Sequence, residues 1–568
     1  MILVTQWTVL LLLLSPALGM VEEERLALRE KARAMFHHSY DNYMEHAFPH
    51  DELRPVSETY TDSLMELGNL NLEHLSPSYN GTALTLVESL STLAVLGNTS
   101  EFEKGVSWLS ENLSFDIDVR VNVFECTIRH LGGLLSAHML ASDPDTRLMP
   151  GGYSGRLLAL AQDLGERLLR AFTSPTGIPY AWVNLRHGVR KGETPETSTA
   201  GCGSLILEMG TLSRLTGRHQ YEDAALWALR KLWAMRSPAD LMGTTLNVET
   251  GQWIEFSGGI GAGVDSFYEY LLKAYILFDE PAYWASFHKA YLAAQRFLRT
   301  GNWYQDADLR TGRPTHRQFG ALQAFWPGLQ VLAGDVEEAR RTHRQFFAVW
   351  ETFGVFPERY YYDGQAVHHS ENYYPLRPEL AESTYLLYQA TRDPLYLKVG
   401  KTILTNLNRF TKVPGGYTSL RSAVTKEKED HQHSYFLSET CKYLYLLFDP
   451  HPPPFLRNKQ FVFTTEGHIL PLGFSRVPLR APLTAVVKPP CDTCQTINLD
   501  EHKISYMSLR VCPNWAIDSR TFKSLGGVES ICHIPDGSPD HRCKNHLQCG
   551  VDAASCRHRT CSPAGFCN

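Results

Sequence analysis

The sequence predicts an all-α fold that is built of stacked helical hairpins. Apolar residues recur with helical spacing through almost the whole segment from about residue 24 to 450. Within it a pair of amphipathic helices joined by a short turn repeats, and the turns at Gly217, Asp279, Gly334 and Asp393 lie about 55 to 62 residues apart. Because one such pair cannot bury both of its apolar faces alone, the pairs must stack as an open solenoid or as a closed ring.

The N-terminus has the features of a secretory signal peptide that spans residues 1–19. An apolar run from Val9 to Leu14 is followed by the small residues Ala17 and Gly19, which suit a cleavage site. The run is too short to cross a bilayer, and no later segment approaches the roughly 20 apolar residues that a membrane helix needs. We therefore expect a mature chain that enters the secretory pathway and has no membrane span.

Three N-glycosylation sequons follow the predicted signal peptide, at Asn80, Asn98 and Asn112. In the secretory pathway these asparagines are expected to carry glycans. The sequence ends in Gly-Phe-Cys-Asn and not in a KDEL-type retention signal. We expect a protein of the endoplasmic reticulum lumen that a partner retains there, with secretion as the alternative.

The last part of the chain, residues 476–568, is predicted to be a small cysteine-rich extension. Nine of the twelve cysteines fall between Cys491 and Cys567. In an oxidising compartment this density is typical of a module that disulfides hold together. A structural disulfide is also the favoured interpretation of the CxxC pair Cys491 and Cys494, and a redox role is the alternative.

Charge and motif content exclude several classes of function. The formal net charge is -7 and the sequence pI is about 6.4, so the chain has no basic excess with which to bind nucleic acid. The sequence also contains no Walker A loop, no HExxH zinc motif and no GxSxG nucleophile elbow.

Acidic residues cluster where the first helix of each hairpin begins. In a closed ring these helix starts would converge on one central cavity. A single acid at a helix start is better explained by its attraction to the helix dipole, but arginine and aromatic neighbours favour a site. Glycoside hydrolysis needs two carboxyl groups, and a calcium site needs oxygen ligands without Cys or His. The acidic residues are Glu125, Glu208, Asp265, Glu269, Glu379, Glu382 and Glu439.

Seven stretches together resemble glycoside hydrolase family 47, the class I α-1,2-mannosidases. Within that family the chain is most similar to the ER degradation-enhancing α-mannosidase-like subgroup, and the resemblance covers about residues 28 to 470. Each stretch is moderately specific, and their order and spacing make the set very specific. They read AFPHDELRP, VFECTIRHLGGLLSAH, GAGVDSFYEYLLK, FGVFPER, YPLRPELAESTYLLYQATRDPLYL, YFLSETCKYLYLLFD and FTTEGHI.

This resemblance implies both a fold and an activity. The family fold is an (α/α)7 barrel, a closed ring of seven helical hairpins, which would occupy residues 24–475. The activity would be that of a Ca²⁺-dependent, inverting α-1,2-mannosidase of the endoplasmic reticulum lumen. Its substrates would be high-mannose N-glycans on misfolded glycoproteins, and the trimmed glycan would mark these clients for ER-associated degradation.

The resemblance also implies roles for particular residues. Glu125 is similar to the family's proton donor, Asp265 to a second catalytic carboxylate, and Glu379 to the base that activates water. Glu358 matches another active-site acid, and Thr465 is similar to the threonine that binds calcium. The remaining residues are expected to contact the sugar, to hold the waters of the calcium ion or to orient carboxylates, and they are Arg129, Glu208, Arg377, Glu382, Tyr435, Glu439 and Glu466.

The sequence departs from the subgroup at a few positions. The subgroup's cysteine after DELxP is missing from the segment 51–62, and Pro414 stands where a second cysteine is usual. In relatives that pair is tied to partnership with an oxidoreductase of the protein disulfide isomerase family. The resemblance therefore implies such a partner, and the missing pair argues against it. Ser91 and His433 stand where relatives carry acids.

Two other functions fit the same resemblance. The first is a mannosidase-like lectin that holds misfolded glycoproteins and cleaves little, but the intact residues Glu125, Asp265, Glu379 and Thr465 favour hydrolysis. The second is a general processing mannosidase of the secretory pathway. The stretches LRPELAEST and FTTEGHI favour the degradation subgroup over this second alternative.

Overall fold

The computed structural model describes residues 20–69, 72–76, 79–473, 530–532 and 541–543. The predicted signal peptide and the Cys491–Cys494 pair lie outside the described residues, as does most of the predicted cysteine-rich extension. The described part is dominated by helices, which confirms the all-α prediction. Among the described residues no helix is both long enough and apolar enough to cross a membrane.

Fourteen helices of the described chain pack as seven hairpins. Shorter helical turns precede or follow several of them. In chain order the helices are α1 (Glu22–His46), α2 (Leu84–Leu96), α3 (Thr99–Asn112), α4 (Gly132–Ser142), α5 (Arg156–Leu168), α6 (Ile206–Thr216), α7 (Gln220–Ala234), α8 (Asp265–Phe278), α9 (Pro281–Ala293), α10 (Trp326–Leu332), α11 (Val336–Phe353), α12 (Glu379–Thr391), α13 (Pro394–Phe410) and α14 (Cys441–Phe448). The short turns are Ser63–Glu66, Val123–Cys126, Thr127–Leu131, Pro144–Thr146, Leu169–Thr173, Thr199–Gly203, Ala294–Leu298, Ala321–Phe325, Phe436–Thr440 and Pro454–Asn458.

Helices α2, α4, α6, α8, α10, α12 and α14 form the inner layer, and the other helices cover them. Every residue of α2 is buried, including five polar or charged ones, as expected for a helix that its neighbours surround on all sides. The outer helix α5 buries only one stripe, from Leu157 through Leu160, Ala161 and Leu164 to Leu168. This spacing of three and four residues is that of an amphipathic helix, which turns its apolar stripe to the core and its polar face to solvent.

The chain closes into a ring through contacts between its N-terminal and C-terminal helices. Helix α1 packs on α14, and α14 packs on α2. Arg33 of α1 donates to the hydroxyl of Tyr445 at 2.6 Å and to the carbonyl of Leu96 at 2.7 Å. Helix α1 is thereby the outer partner of α14 in the seventh hairpin. The structure selects the closed ring over the open solenoid.

The predicted hairpin turns coincide with left-handed residues at the helix ends. Gly217 ends α6 with φ +71°, and Asp279 ends α8 with φ +59°. A left-handed residue satisfies the last carbonyls of a helix and reverses the chain within a few residues. Arg392 ends α12 in the same conformation, and the Asp393 side chain then accepts a hydrogen bond from the Leu395 amide, which begins α13.

Short antiparallel strands connect the hairpins. One pair, Phe461–Phe463 with Ile469–Pro471, contacts α4 and α8 from inside the ring. The Ser136 hydroxyl of α4 donates to the carbonyl of Ile469 at 2.8 Å, so the turn 464–468 is fixed within the barrel. The other pairings join Glu52–Arg54 with Thr59–Thr61, Arg120–Asn122 with Trp182–Asn184, Glu196–Ser198 with Thr245–Asn247 and Gln252–Trp253, Ser257–Gly258 with Asp306–Asp308 and Pro314–His316, Arg299–Thr300 with Trp303–Tyr304, Phe319–Gly320 with Arg359–Tyr361 and Ala366–Val367, Lys412–Val413 with Gly416–Tyr417, Ser419–Leu420 with Lys428–Glu429, and Ser530–Cys532 with His541–Cys543.

Candidate active site

A cavity of about 620 Å³ opens at the end of the ring where the inner helices begin. It is the place on which the helix starts were expected to converge. Ten of the residues that the resemblance assigned to the site line this cavity, and they are Glu125, Arg129, Asp265, Arg377, Glu379, Glu382, Tyr435, Glu439, Thr465 and Glu466. Glu269, from the acidic set at the helix starts, lines it as well.

Glu125 and Arg129 are positioned by an α-helical turn and the wider π-helical turn that follows it. The Asn122 side chain accepts a hydrogen bond from the Glu125 amide at 3.1 Å and begins the turn Val123–Cys126. The π-helical turn Thr127–Leu131 follows directly. The Arg129 Nε then donates to the Glu125 carboxylate at 2.8 Å, so both side chains reach the cavity as one hydrogen-bonded unit.

Asp265 and Glu379 are the first residues of α8 and α12. The helix dipole favours a negative charge at this position. Burial opposes it, because a buried carboxylate loses its hydration. Burial raises the pKa of Asp265 to about 7 and the pKa of Glu379 to about 8, and the charge of Arg377 lowers the pKa of Glu379 in the opposite direction. Both carboxyls can therefore bind or release a proton near neutral pH.

Arg377 is fixed by a two-pronged ion pair with Glu358. Its Nε and Nη2 each donate to that carboxylate at 2.7 Å. The planar match between a guanidinium and a carboxylate makes this the strongest geometry for such a pair. The structure places Glu358 behind Arg377, outside the set of described residues that line the cavity.

Glu208 is also placed away from the cavity lining. It is fully buried, and the Tyr270 hydroxyl donates to its carboxylate at 2.7 Å. Burial raises the pKa of Glu208 to about 8. In the structure the Glu208 carboxylate thus makes a contact within the protein, and its predicted role toward the sugar stays a prediction.

Tyr435 presents its ring to the cavity between the two arginines. Its hydroxyl donates to the carbonyl of Pro375 at 2.7 Å. The guanidinium carbon of Arg129 lies 5.3 Å from the centre of the ring, which is within the range of a cation–π contact. A ring held by its hydroxyl and by the guanidinium is a suitable platform for a sugar.

The floor of the cavity contains more carboxylate oxygens than its lysines and arginines satisfy. Both oxygens of Glu88 and one oxygen of Glu466 are buried without a hydrogen-bond partner in the described chain. Burial raises the pKa of Glu466 to about 7 and that of Glu382 to about 8. Buried polar atoms without partners are costly, so a bound cation would relieve this arrangement.

Thr465 lies in the same lining as these carboxylates. The turn 464–468 that carries it also carries Glu466, and the Lys273 ammonium lies 3.4 Å from the carbonyl of Thr464. Hydroxyl, carbonyl and carboxylate oxygens are the ligands that hard cations such as calcium prefer. The residues present therefore fit a calcium ion.

Sequence reasoning missed several residues of the site. Glu88, Lys273 and Lys442 are fully or almost fully buried around its floor. Lys273 pairs with Glu269, and Lys442 donates to the Ser91 hydroxyl at 2.8 Å. Their signal is a charged residue within a helix rich in apolar residues, which is seldom tolerated without a buried partner.

The three predicted glycosylation residues differ in exposure. Asn80 and Asn112 are exposed, whereas Asn98 is half-buried. The Asn98 side chain accepts a hydrogen bond from the Glu101 amide at 3.3 Å and caps α3. Glycosylation at all three stays a prediction.

Comparisons with known proteins agree with this geometry. Residues 35–472 match the model of glycosyl hydrolase family 47. An alpha-mannosidase I of Arabidopsis thaliana is 58% identical over 552 residues, which cover 97% of this chain and 95% of that protein. ER degradation-enhancing alpha-mannosidase-like protein 2 of Mus musculus is 43% identical over 437 residues, which cover 77% of this chain and 73% of that protein.

A solved structure supports the same relationship. An alpha-1,2-mannosidase from Trichoderma reesei matches with a TM-score of 0.68 and 25% identity, covering 79% of this chain and 99% of that chain. Its (α/α)7 barrel confirms the predicted architecture. The chain therefore belongs to glycosyl hydrolase family 47 and is a glycoside hydrolase.

Proposed function

We propose that this protein is a calcium-dependent, inverting α-1,2-mannosidase that trims high-mannose N-glycans on misfolded glycoproteins in the endoplasmic reticulum lumen. The observation that carries the proposal is the cavity itself. Glu125, Asp265 and Glu379 line it together with Thr465. One cavity thus combines the carboxyl pair that glycoside cleavage needs with the oxygen ligands that calcium needs.

Glu125 is the group that we assign to protonation of the leaving oxygen, directly or through a water. It is the most exposed of the carboxylates held by Arg129, with 29% of its side chain accessible. Arg129 fixes the orientation of its carboxylate. Asp265, whose pKa burial raises to about 7, is the second acid, because it can hold a proton at neutral pH.

Glu379 is the group that we assign to activation of the attacking water. One of its oxygens has no hydrogen-bond partner in the described chain and is available for that water. A base must be ionised, and burial raises the pKa of Glu379 to about 8. Arg377 opposes this effect, and a nearby cation acts in the same direction as Arg377.

Thr465, Glu382, Glu439 and Glu466 are the residues that would hold calcium or its waters. When bound, a calcium ion supplies positive charge and oxygen coordination that can orient two sugar hydroxyls. The ring of Tyr435 would then stack against the apolar face of the same sugar. We assign Glu358 to the orientation of Arg377, and Glu208 to the orientation of Tyr270.

The cellular role follows from the relatives. Several of them are named ER degradation-enhancing alpha-mannosidase-like proteins. We extend this role to the present chain and propose misfolded glycoproteins as its clients. We also propose the division of the chain into a signal peptide (1–19), a catalytic ring (24–475) and a cysteine-rich extension (476–568).

The proposal also includes partnership with an oxidoreductase of the protein disulfide isomerase family. The two positions at which the subgroup's cysteines are missing lie on adjoining segments, because an added Cβ at Gly415 would be 2.4 Å from the carbonyl oxygen of Pro55. Their joint replacement is therefore consistent with the loss of one disulfide. Any such partnership must use other cysteines of the chain.

The decisive experiment is mannose release from a denatured high-mannose glycoprotein by the purified full chain. We expect release with calcium, no release with a chelator, and a fall in kcat of about 10²- to 10⁴-fold in Glu379→Gln. Released mannose and the shortened glycans are measured by mass spectrometry. The configuration of the first product is read by NMR and should be inverted.

Glu351→Gln is the matched control, because Glu351 is an exposed glutamate outside the cavity lining. It should keep the activity of the wild type. Glycan binding without mannose release, by the wild type in calcium, would contradict the hydrolase proposal and favour the lectin alternative. Equal activity on folded and denatured glycoproteins would favour a general processing mannosidase.

A further inference from the structure

Outside the cavity lining, a carboxylate and two imidazoles meet at one point. Glu52 lies on the strand Glu52–Arg54, and His431 and His433 lie on the segment before the turn Phe436–Thr440. One possible ligand atom from each of the three residues lies within 4.8 Å of the others. None of the three residues belongs to the cavity lining.

The Glu52 carboxylate is buried and held in one orientation. Its Oε1 accepts a hydrogen bond from the Ser434 amide at 2.7 Å, and its Oε2 accepts from the Ser63 hydroxyl. The Nε2 of His431 lies 2.6 Å from the same Oε2, so a proton is shared between them. Supporting hydrogen bonds of this kind orient the ligands of metal sites.

The ring of His433 lies beside this pair. The centres of the His431 and His433 rings are 3.9 Å apart, and His433 stacks on Tyr435 with 4.9 Å between ring centres. Within the described residues no group hydrogen-bonds to a ring nitrogen of His433. Its imidazole is therefore oriented by stacking and keeps a free lone pair.

We propose that Glu52, His431 and His433 form a zinc site that is separate from the oxygen-only calcium site. Two imidazole nitrogens and one carboxylate oxygen are a donor set that zinc prefers and calcium does not. The ion takes the place of the proton that His431 shares with Glu52, and this proton leaves to solvent. A water molecule completes the tetrahedral coordination.

The site is connected to the cavity through the next two residues of the chain. Ser434, whose amide binds Glu52, has a hydroxyl that accepts from Arg129 at 3.3 Å. Tyr435, on which His433 stacks, lines the cavity. Zinc at this point would restrain both groups, so its occupancy is expected to alter the turnover. Binding itself does not depend on the proposed hydrolase activity.

The test is titration of zinc chloride into the full chain by calorimetry, in a buffer saturated with calcium. His433→Gln removes one ligand, and its zinc affinity at this site should fall at least about tenfold. His369→Gln is the matched control, because His369 is an exposed histidine whose ring lies 4.5 Å from that of His368. It should bind zinc as the wild type does.

Zinc that binds elsewhere on the chain should bind equally to the wild type, His433→Gln and His369→Gln. The site is therefore tested by the difference between their binding isotherms. Identical isotherms for the wild type and His433→Gln would overturn the proposal. X-ray absorption of the wild type with one equivalent of zinc needs no variant. Two imidazole nitrogens and a carboxylate are expected in the spectrum, and a shell of oxygen or sulfur alone would refute the site.

Discussion

At the scale of single residues, the pair of Glu358 and Arg377 allows a test of how neighbouring charges set the pKa of the proposed base, Glu379. Glu358 lies behind Arg377, and its negative charge contributes to the raised pKa of Glu379. In Glu358→Gln this charge is removed while Arg377 stays. We expect kcat to change less than about tenfold, and the acid limb of the kcat/KM profile to move to lower pH by up to about one unit.

The measurement is the pH dependence of mannose release from about pH 4 to 8. The control variant is Glu351→Gln, because Glu351 is an exposed glutamate outside the cavity lining. Its pH profile should match that of the wild type. If kcat of Glu358→Gln instead falls by about 10²- to 10⁴-fold, Glu358 transfers a proton and is not merely a support for Arg377.

Sequence reasoning predicted which side chains line the cavity better than it predicted their surroundings. Glu125, Asp265 and Glu379 were found because local motifs carry them, and they do reach the cavity. Glu208 also lies at the start of an inner helix, yet the structure buries it under Tyr270. Such a difference depends on packing between helices that are distant in sequence, which a motif does not contain.

At the scale of elements, the close approach of short strands at the rim of the ring offers a test. Gly258 lies on the strand Ser257–Gly258, and a Cβ added there would be 1.9 Å from the carbonyl oxygen of Met242. Backbone cannot move aside as a side-chain tip can. Gly258→Ala is therefore expected to lower the free energy of unfolding by about 1–3 kcal/mol, measured by urea denaturation in calcium.

Gly364→Ala is the control for this substitution. A Cβ at Gly364 would meet no atom within 4 Å, and the residue does not have a positive φ. It should leave the denaturation midpoint unchanged. Equal stability of Gly258→Ala and the wild type would mean that the strand and the Met242 segment are not in contact in solution.

Helical elements and their turns were predictable because they follow local chemistry. Periodic apolar residues predicted the helices, and Gly217 and Asp279 predicted turns that the structure confirms. The π-helical turn Thr127–Leu131, which carries Arg129, was not predicted. Its extra residue per turn leaves no signature in the pattern of apolar residues.

At the scale of the whole molecule, closure of the ring could not be decided by periodicity. Closure depends on the packing of α1 on α14, between segments that are about as far apart in sequence as the barrel allows. The same closure brings the starts of several inner helices to one cavity and buries their carboxylates together. Stability and calcium binding are therefore linked through these carboxylates.

The sign of this linkage follows from the direction of the pKa shifts. Burial raises the pKa of Glu379 and Glu382 to about 8 and that of Asp265 and Glu466 to about 7. The unfolded chain releases the same protons at about pH 4. The stability that these groups contribute is fully present below about pH 4 and is lost as pH rises to about 8.

Burial also raises the pKa of Asp51 and Glu208 to about 8, so these two carboxyls act in the same window and direction. Other buried groups act outside this window or against it. Burial lowers the pKa of His130 and His433 to about 3, so their effect is complete above about pH 6.5, where unfolded histidine is neutral. Burial lowers the pKa of Lys442 to about 7, and this single lysine adds stability as pH rises. Between about pH 6.5 and 8 the carboxylates outweigh it.

We therefore expect the Tm of the calcium-free protein to fall by about 5 °C or more between about pH 6.5 and 8. Calcium binds the ionised carboxylates of the folded protein alone, so saturating calcium should raise the Tm most at the upper end of this range. Scanning calorimetry with chelator and with calcium measures both curves. Glu382→Gln removes one of the titrating groups and should make the Tm of the calcium-free protein depend less on pH. A Tm that rises with pH in the chelator would instead show that the carboxylates are already ionised without calcium.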